Sequence, residues 1–205
     1  MRKINLEIRF TGFGGQGIIL AGHIIGKAAS IYANLHATLT QNYGPESRGG
    51  ASSAQLIISN EQIFYPNITQ PDILLAMSQE GYSQYKNEVK PDGIMLVDED
   101  LVKISKPRTD VKIVKVPATR LAEQLGKRMV ANIVMLGFMA GQIHPSPEEQ
   151  ADHRLYIGFS KPTKCGPDIL SREAMENAIK SSVPPGSIEL NMKAFDMGFN
   201  WEAAQ

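Results

Sequence analysis

The sequence predicts a single α/β domain built on an open, mainly parallel sheet flanked by helices, and three observations carry that expectation. A period-two alternation, a glycine cluster and a helical stretch follow one another within the first 33 residues. Compact apolar or β-branched runs suited to strands recur at 73–77, 94–97 and 111–116, with helical or turn-forming segments between them. The chain has 205 residues, enough for one well-buried domain and too few for two ordinary ones.

Taken in order, Ile4, Leu6, Ile8 and Phe10 alternate with Asn5, Glu7, Arg9 and Thr11, which is strand periodicity. Gly12, Gly14, Gly15 and Gly17 follow. Residues 18–33 are then helical, with Leu20, Ile24 and Ala28 on one face and Asn34 as the stop, and 36–40 is the second strand. A polar, glycine-rich segment at 41–50 precedes a strand at 51–59. A turn at Asn60 and Glu61 and a short run at 62–65 would complete a hairpin. Ser78 is placed to cap a helix over 79–89, and Pro91-Asp92-Gly93 turns the chain into the strand at 94–97. Helices are expected at 119–125 and 127–142, the second apolar on most of its faces and so suited to a core or a subunit interface. Residues 144–167, rich in proline and polar side chains, read as a loop. A capped amphipathic helix at 171–181 follows, Pro184-Pro185-Gly186 breaks the chain, and a last helix at 188–197 has Gly198 placed to end it. The organisation expected is one domain over 1–205, with about 144–168 as a loop excursion and 169–205 as C-terminal helices.

Composition narrows the function. Lys+Arg and Asp+Glu are both 21, and this neutral balance argues against nucleic acid as the main partner, since phosphate binding leaves a basic excess. The one cysteine, Cys165, forms no internal disulfide and by itself holds neither an iron–sulfur cluster nor a structural zinc. The N-terminal stretch is interrupted by Arg2, Lys3, Glu7 and Arg9, and the longest apolar run, 129–143, is shorter than the roughly 20 residues of a membrane span. A cytoplasmic protein with no membrane partner is expected. His23, His36, His144 and His153 show no metal-ligand spacing.

Gly12, Gly14 and Gly17 match G-x-G-x-x-G between a strand and a helix, the context in which backbone amides at a helix N-terminus receive an anion. A dinucleotide site also needs an acidic residue roughly 20 residues further on. Residues 34–40 contain no Asp or Glu, and no Arg for a 2′-phosphate, so NAD(P) is not expected. The bland alternative is a tight strand-to-helix crossover with no ligand. In the second glycine-rich segment, Gly44-Pro45 and Gly49-Gly50 fix turns around Glu46 and Arg48. Arg48 there either grips a carboxylate or phosphate through two hydrogen bonds or makes a local or intersubunit pair with Glu46.

Gly12-Phe-Gly-Gly-Gln-Gly17 followed by Tyr43-Gly-Pro-Glu-Ser-Arg-Gly-Gly50 resembles the gamma subunit of the 2-oxoacid:ferredoxin oxidoreductases. The resemblance continues through Gln70-Pro-Asp-Ile73, Asn132 and the closing Asn191-x-x-Ala194-Phe195-x-x-Gly198, and so spans nearly the whole chain. It implies a Rossmann-like domain inside a hetero-oligomer that decarboxylates a 2-oxoacid, 2-oxoglutarate or pyruvate, with coenzyme A as acyl acceptor and ferredoxin as electron acceptor. The thiamine diphosphate, magnesium and iron–sulfur clusters of such an enzyme would reside on partners. These are thiamine-binding alpha and beta subunits, with a ferredoxin-like delta subunit or an external ferredoxin. This chain by itself is expected to bind none of them and to carry no catalytic residue. It would supply assembly and part of the coenzyme A environment, through Gly12, Gly14, Gly15, Gln16, Gly17, Tyr43, Gly44, Glu46, Arg48, Gly49 and Gly50. Two rival readings are a free-standing nucleotide-binding protein and a purely structural subunit.

Overall fold

The first alternating segment forms β1 (Asn5–Phe13), and both of its faces are covered. Leu6, Ile8 and Phe10 enter the main core, while Arg9 and Thr11 on the opposite face are only 4% and 2% exposed. β1 is therefore an interior strand, despite an alternation that would also suit a half-solvated one. The structure is a computed structural model that describes residues 5–43, 50–143 and 171–201, with side chains excepted at 142 and 143.

Among these residues β1 joins β2 (His36–Tyr43), β3 (Ala51–Ser59), β4 (Ile73–Ala76), β5 (Ile94–Asp98) and β6 (Lys112–Val116) in one sheet of order β2-β3-β1-β4-β5-β6. β1, β4, β5 and β6 are parallel neighbours. β3 runs antiparallel between β2 and β1, with Tyr43 opposite Ser52 on one side and Gly12 opposite Ser52 on the other. β2 and β1 consequently point the same way and end at the same edge of the sheet. The expected hairpin is thus made by β2 and β3. Residues 62–65, expected to complete it, form no strand, because both edges of β3 are already paired.

The strands alternate their side chains between two apolar layers. Ile73 and Leu75 of β4 and Ile94 and Leu96 of β5 join the larger core. Leu74, Ala76, Met95 and Val97 join the smaller one with Tyr82, Val89 and Val102. Each fully buried aliphatic side chain contributes about 1.5–3 kcal/mol, so strands buried on both faces concentrate stability in the middle of the sheet. The smaller layer lies beside α2 (Gln79–Tyr85), which the Ser78 hydroxyl caps by accepting the Gly81 N–H at 3.1 Å. On the same face Arg9 stacks over Tyr85, with 4.5 Å between guanidinium carbon and ring centroid. It also pairs with Glu88 and donates to the Ile68 carbonyl at 2.8 Å. A buried charge is tolerated there because it is paired and stacked, and it ties the 60–71 crossing segment onto the sheet.

The larger core is covered by α1 (Ile18–Lys27), α3 (Ala118–Gln124), α4 (Ala131–Ile143), α5 (Arg172–Lys180) and α6 (Ile188–Phe199). α1 widens into a π-helical turn over Ala28–Tyr32, and the chain stops at Asn34 in the left-handed region, φ 52°. Ser171 caps α5 by accepting the Ala174 N–H. α4 is apolar on most faces because it is enclosed on most faces: Ile133, Val134, Met135, Leu136, Phe138 and Met139 are all buried. The helix expected from position 127 begins instead with a 3-10 turn, Arg128–Val130.

Gly198 does not end the last helix. α6 continues to Phe199 and is followed by Asn200. Gly198 instead lies against the Val134 carbonyl of α4, and Gly137 and Gly141 face the Phe195 and Phe199 carbonyls in return. Backbone meets backbone, with no room for a methyl group. Gly198→Ala should therefore destabilise the protein by about 3 kcal/mol through overpacking, whereas Gly186→Ala, where a methyl meets nothing within 4 Å, should stay within about 0.5 kcal/mol. Urea denaturation of the two variants beside the parent checks the contrast.

Candidate functional site at the carboxyl edge of the sheet

β1 carries through Gly12 to Phe13, and the reversal into α1 is made by residues 14–17 alone. Gly15 and Gly17 have φ of +92° and +70°, a region that side chains with a Cβ avoid. Three hydrogen bonds close the turn from within. The Gln16 amide N–H donates to the Phe13 carbonyl at 3.1 Å. The Gln16 side chain accepts the Phe13 N–H through Oε1 at 2.6 Å and donates through Nε2 to the Met77 carbonyl, past the end of β4, at 3.0 Å. Gln16 is thus a brace across the sheet edge, and its amide group is not turned toward solvent chemistry. From outside the turn, the Gly14 N–H donates to the Gly50 carbonyl at 2.8 Å, which joins the two glycine-rich segments.

α1 starts from this turn with Gly17 as its cap residue and no side chain capping its first turn. The first-turn N–H groups of a helix have no intrahelical partner and carry the positive end of its dipole. Beside them opens a cleft of about 380 Å³, lined by Phe13, Gly15, Gln16, Met77, Thr119, Arg128, Met129 and Ala131. Arg128 is exposed, and no carboxylate among the described residues pairs with it. Phe13 and Met129 form an apolar rim, Met129 being 69% exposed. A cation, an uncapped helix start and an apolar rim suit an anionic ligand with an apolar portion. Among the described residues the lining holds no carboxylate, histidine, lysine or cysteine that would serve as a general base or nucleophilic thiol.

The wall behind Thr119 is fixed by Asp98, fully buried at the end of β5. Its carboxylate accepts from the Thr119 hydroxyl at 2.7 Å, the Thr119 N–H at 2.9 Å and the Asp100 N–H at 3.0 Å. Burial pushes the Asp98 carboxyl above the usual carboxylate range, and these donors pull it back down. By holding the second residue of α3, Asp98 serves as a cap supplied from a neighbouring strand.

Of the residues singled out in the sequence, Gly14, Gly15, Gln16, Gly17 and Gly50 come together here. Gly12 lies one step back within β1. Tyr43 is 65% exposed and two strand spacings from Gly12, about 10 Å. Its hydroxyl donates to Gln41 and it does not line the cleft. Gly44, Glu46, Arg48 and Gly49 lie outside the described residues. Arg128, Thr119 and Met77 were not legible as site residues, because nothing in their spacing links them to the glycine cluster more than 55 positions away. Among the described residues no group of three His, Cys, Asp or Glu side chains is arranged to hold a metal ion. Among the described residues no helix is long and apolar enough to cross a membrane. Removing the brace with Gln16→Ala should destabilise the chain by about 1–2 kcal/mol in urea denaturation, since it leaves the Phe13 N–H and Met77 carbonyl without their partner.

Residues 7–201 match the family model described as pyruvate ferredoxin/flavodoxin oxidoreductase. The chain is 46% identical over 199 residues to the 2-oxoglutarate synthase subunit KorC of Methanocaldococcus jannaschii, covering 96% of this chain and 94% of that one. A solved structure described as the gamma subunit of keto/oxoacid ferredoxin oxidoreductase from Geobacter sulfurreducens superposes with a TM-score of 0.72 at 40% identity, over 95% of this chain and 96% of the other. The pyruvate oxidoreductase subunit PORC of Thermotoga maritima gives a TM-score of 0.65 at 25% identity over 95% of each chain.

Proposed function

Since the chain belongs to the pyruvate ferredoxin/flavodoxin oxidoreductase family, we propose that it is the gamma subunit of a multi-subunit 2-oxoacid:ferredoxin oxidoreductase, working as one domain in the cytoplasm. The holoenzyme would oxidatively decarboxylate a 2-oxoacid, pass electrons to ferredoxin and transfer the acyl group to coenzyme A. The near full-length likeness to a 2-oxoglutarate synthase subunit favours 2-oxoglutarate over pyruvate as the 2-oxoacid.

The donor set of this chain does not fit an iron–sulfur cluster. A cluster takes about four cysteine ligands, and the chain has one cysteine. The clusters are therefore assigned to companions and, on the family resemblance, thiamine diphosphate and magnesium with them: alpha and beta subunits, and a ferredoxin-like delta subunit or external ferredoxin. What this chain has is a place for an anion. The observation that carries the reading is the uncapped start of α1 and Arg128 on one cleft, beside a glycine turn whose Gly14 N–H is bonded to the Gly50 carbonyl. Coenzyme A combines a pyrophosphate for the cation and helix amides with an apolar arm for the Phe13 and Met129 rim. A free-standing dinucleotide-binding protein is disfavoured by the lack of an acidic residue at 34–40.

The chain is to be co-expressed with its companion subunits and the assembled enzyme assayed. Arg128→Ala should raise the KM for coenzyme A about tenfold, equivalent to about 1.4 kcal/mol, with the KM for the 2-oxoacid and the subunit ratio unchanged. Arg48→Ala tests the second loop in the same way. If the KM for coenzyme A is unmoved in both variants, neither arginine contacts it and the purely structural reading takes its place.

A further inference from the structure

Gly17 is held from above by a residue 115 positions away. Asn132, the second residue of α4, is 3% exposed and donates from Nδ2 to the Gly17 carbonyl at 3.1 Å. The same carbonyl already accepts the Ala21 N–H at 2.9 Å, the first bond of α1. The Gly17 oxygen thus needs no second donor to be satisfied. Asn132 gains little else from its position: Oδ1 is buried and has no hydrogen-bond partner among the described residues. A side chain there for stability alone would be apolar, since an aliphatic group of the same shape would leave no orphaned acceptor in a core otherwise built of Ile133, Val134, Met135 and Leu136.

The contact is also steric. A Cβ on Gly17 would meet the Asn132 amide, so the side chain fills the space above the left-handed residue. We infer that Asn132 is a positioning residue: it fixes the carbonyl of Gly17 and, through it, the direction in which the first amides of α1 face the cleft. Its neighbours in sequence support the assignment. Arg128, Met129 and Ala131, just before it, line the cleft directly, so the 3-10 turn that leads into α4 supplies the cation and the first turn of α4 the latch. A shift of α4 would move the two together. That this loop receives coenzyme A rests on the function proposed above; that Asn132 sets the loop does not.

The test uses the co-expressed holoenzyme with Asn132→Leu, and Asn132→Ala as a second variant in case leucine is too bulky to assemble. Three quantities are read: amide hydrogen exchange of the peptide spanning 12–25, the melting temperature, and the KM for coenzyme A against kcat. The expected result is exchange in that peptide at least about fivefold faster, a melting temperature unchanged or raised for the leucine variant, and a KM for coenzyme A raised about five- to tenfold with kcat within twofold. Unchanged exchange at 12–25 overturns the positioning role, whatever the kinetics do. A lowered melting temperature with protection lost evenly across the sheet also overturns it, because Asn132 is then ordinary core packing. Faster exchange with an unmoved KM for coenzyme A keeps the latch and removes coenzyme A from the loop.

Discussion

The end of β1 has to turn into α1 within four residues, underneath the start of another helix, and most of the functional architecture follows from that constraint. β1 is hydrogen-bonded to a strand on each side and buried on both faces, so it cannot shift to relieve the turn. Gly15 and Gly17 take positive φ, Gln16 braces the turn to the end of β4, and Asn132 occupies the space above Gly17. Any side chain at position 17 would have to displace the Asn132 amide. The outcome is a closely held turn that leaves the first amides of α1 without a side-chain cap, the kind of fixed donor set that needs no rearrangement before a ligand arrives.

α4 links this edge to the rest of the molecule. Its first residues adjoin the cleft and the glycine turn, and its remainder is enclosed and rests on α6 at backbone contact through Gly137, Gly141 and Gly198. Helices that approach so closely resist sliding, because a shift brings carbonyls into collision. Arg128 and Asn132 therefore have their positions set by packing some distance from the cleft. Asp98 plays the matching part on the other wall, holding Thr119 through two hydrogen bonds and Asp100 through a third, at the cost of burying a carboxylate. The cleft is built from fixed parts, and the described residues that line it supply one cation and an apolar rim.

Much of the fold was legible because its signals are local. The strand at β1, the glycine turn, the Asn34 stop, and the caps at Ser78 and Ser171 each depend on a few adjacent residues. The apolar runs of β4 and β5 read as buried strands because both faces are covered. Two readings went astray where the deciding partner was remote. Residues 62–65 look capable of pairing with β3, but β3 is inserted between β2 and β1 and has no free edge. Gly198 looks like a helix terminator, yet its small size serves contact with Val134 on another helix.

The sequence by itself determined the α/β class, the strand-turn-helix opening and the balanced formal charge, since each depends on residue type or short-range spacing. It also carried the family resemblance, because a fixed order of motifs is a property of the chain alone. Tertiary structure alone decided the strand order, the joining of Gly14 to Gly50, and the approach of Arg128 and Asn132 to the glycine turn. Those depend on packing between segments up to 115 positions apart. Which side chains meet at that range is set by how buried surfaces fit, a property that no single stretch of sequence contains.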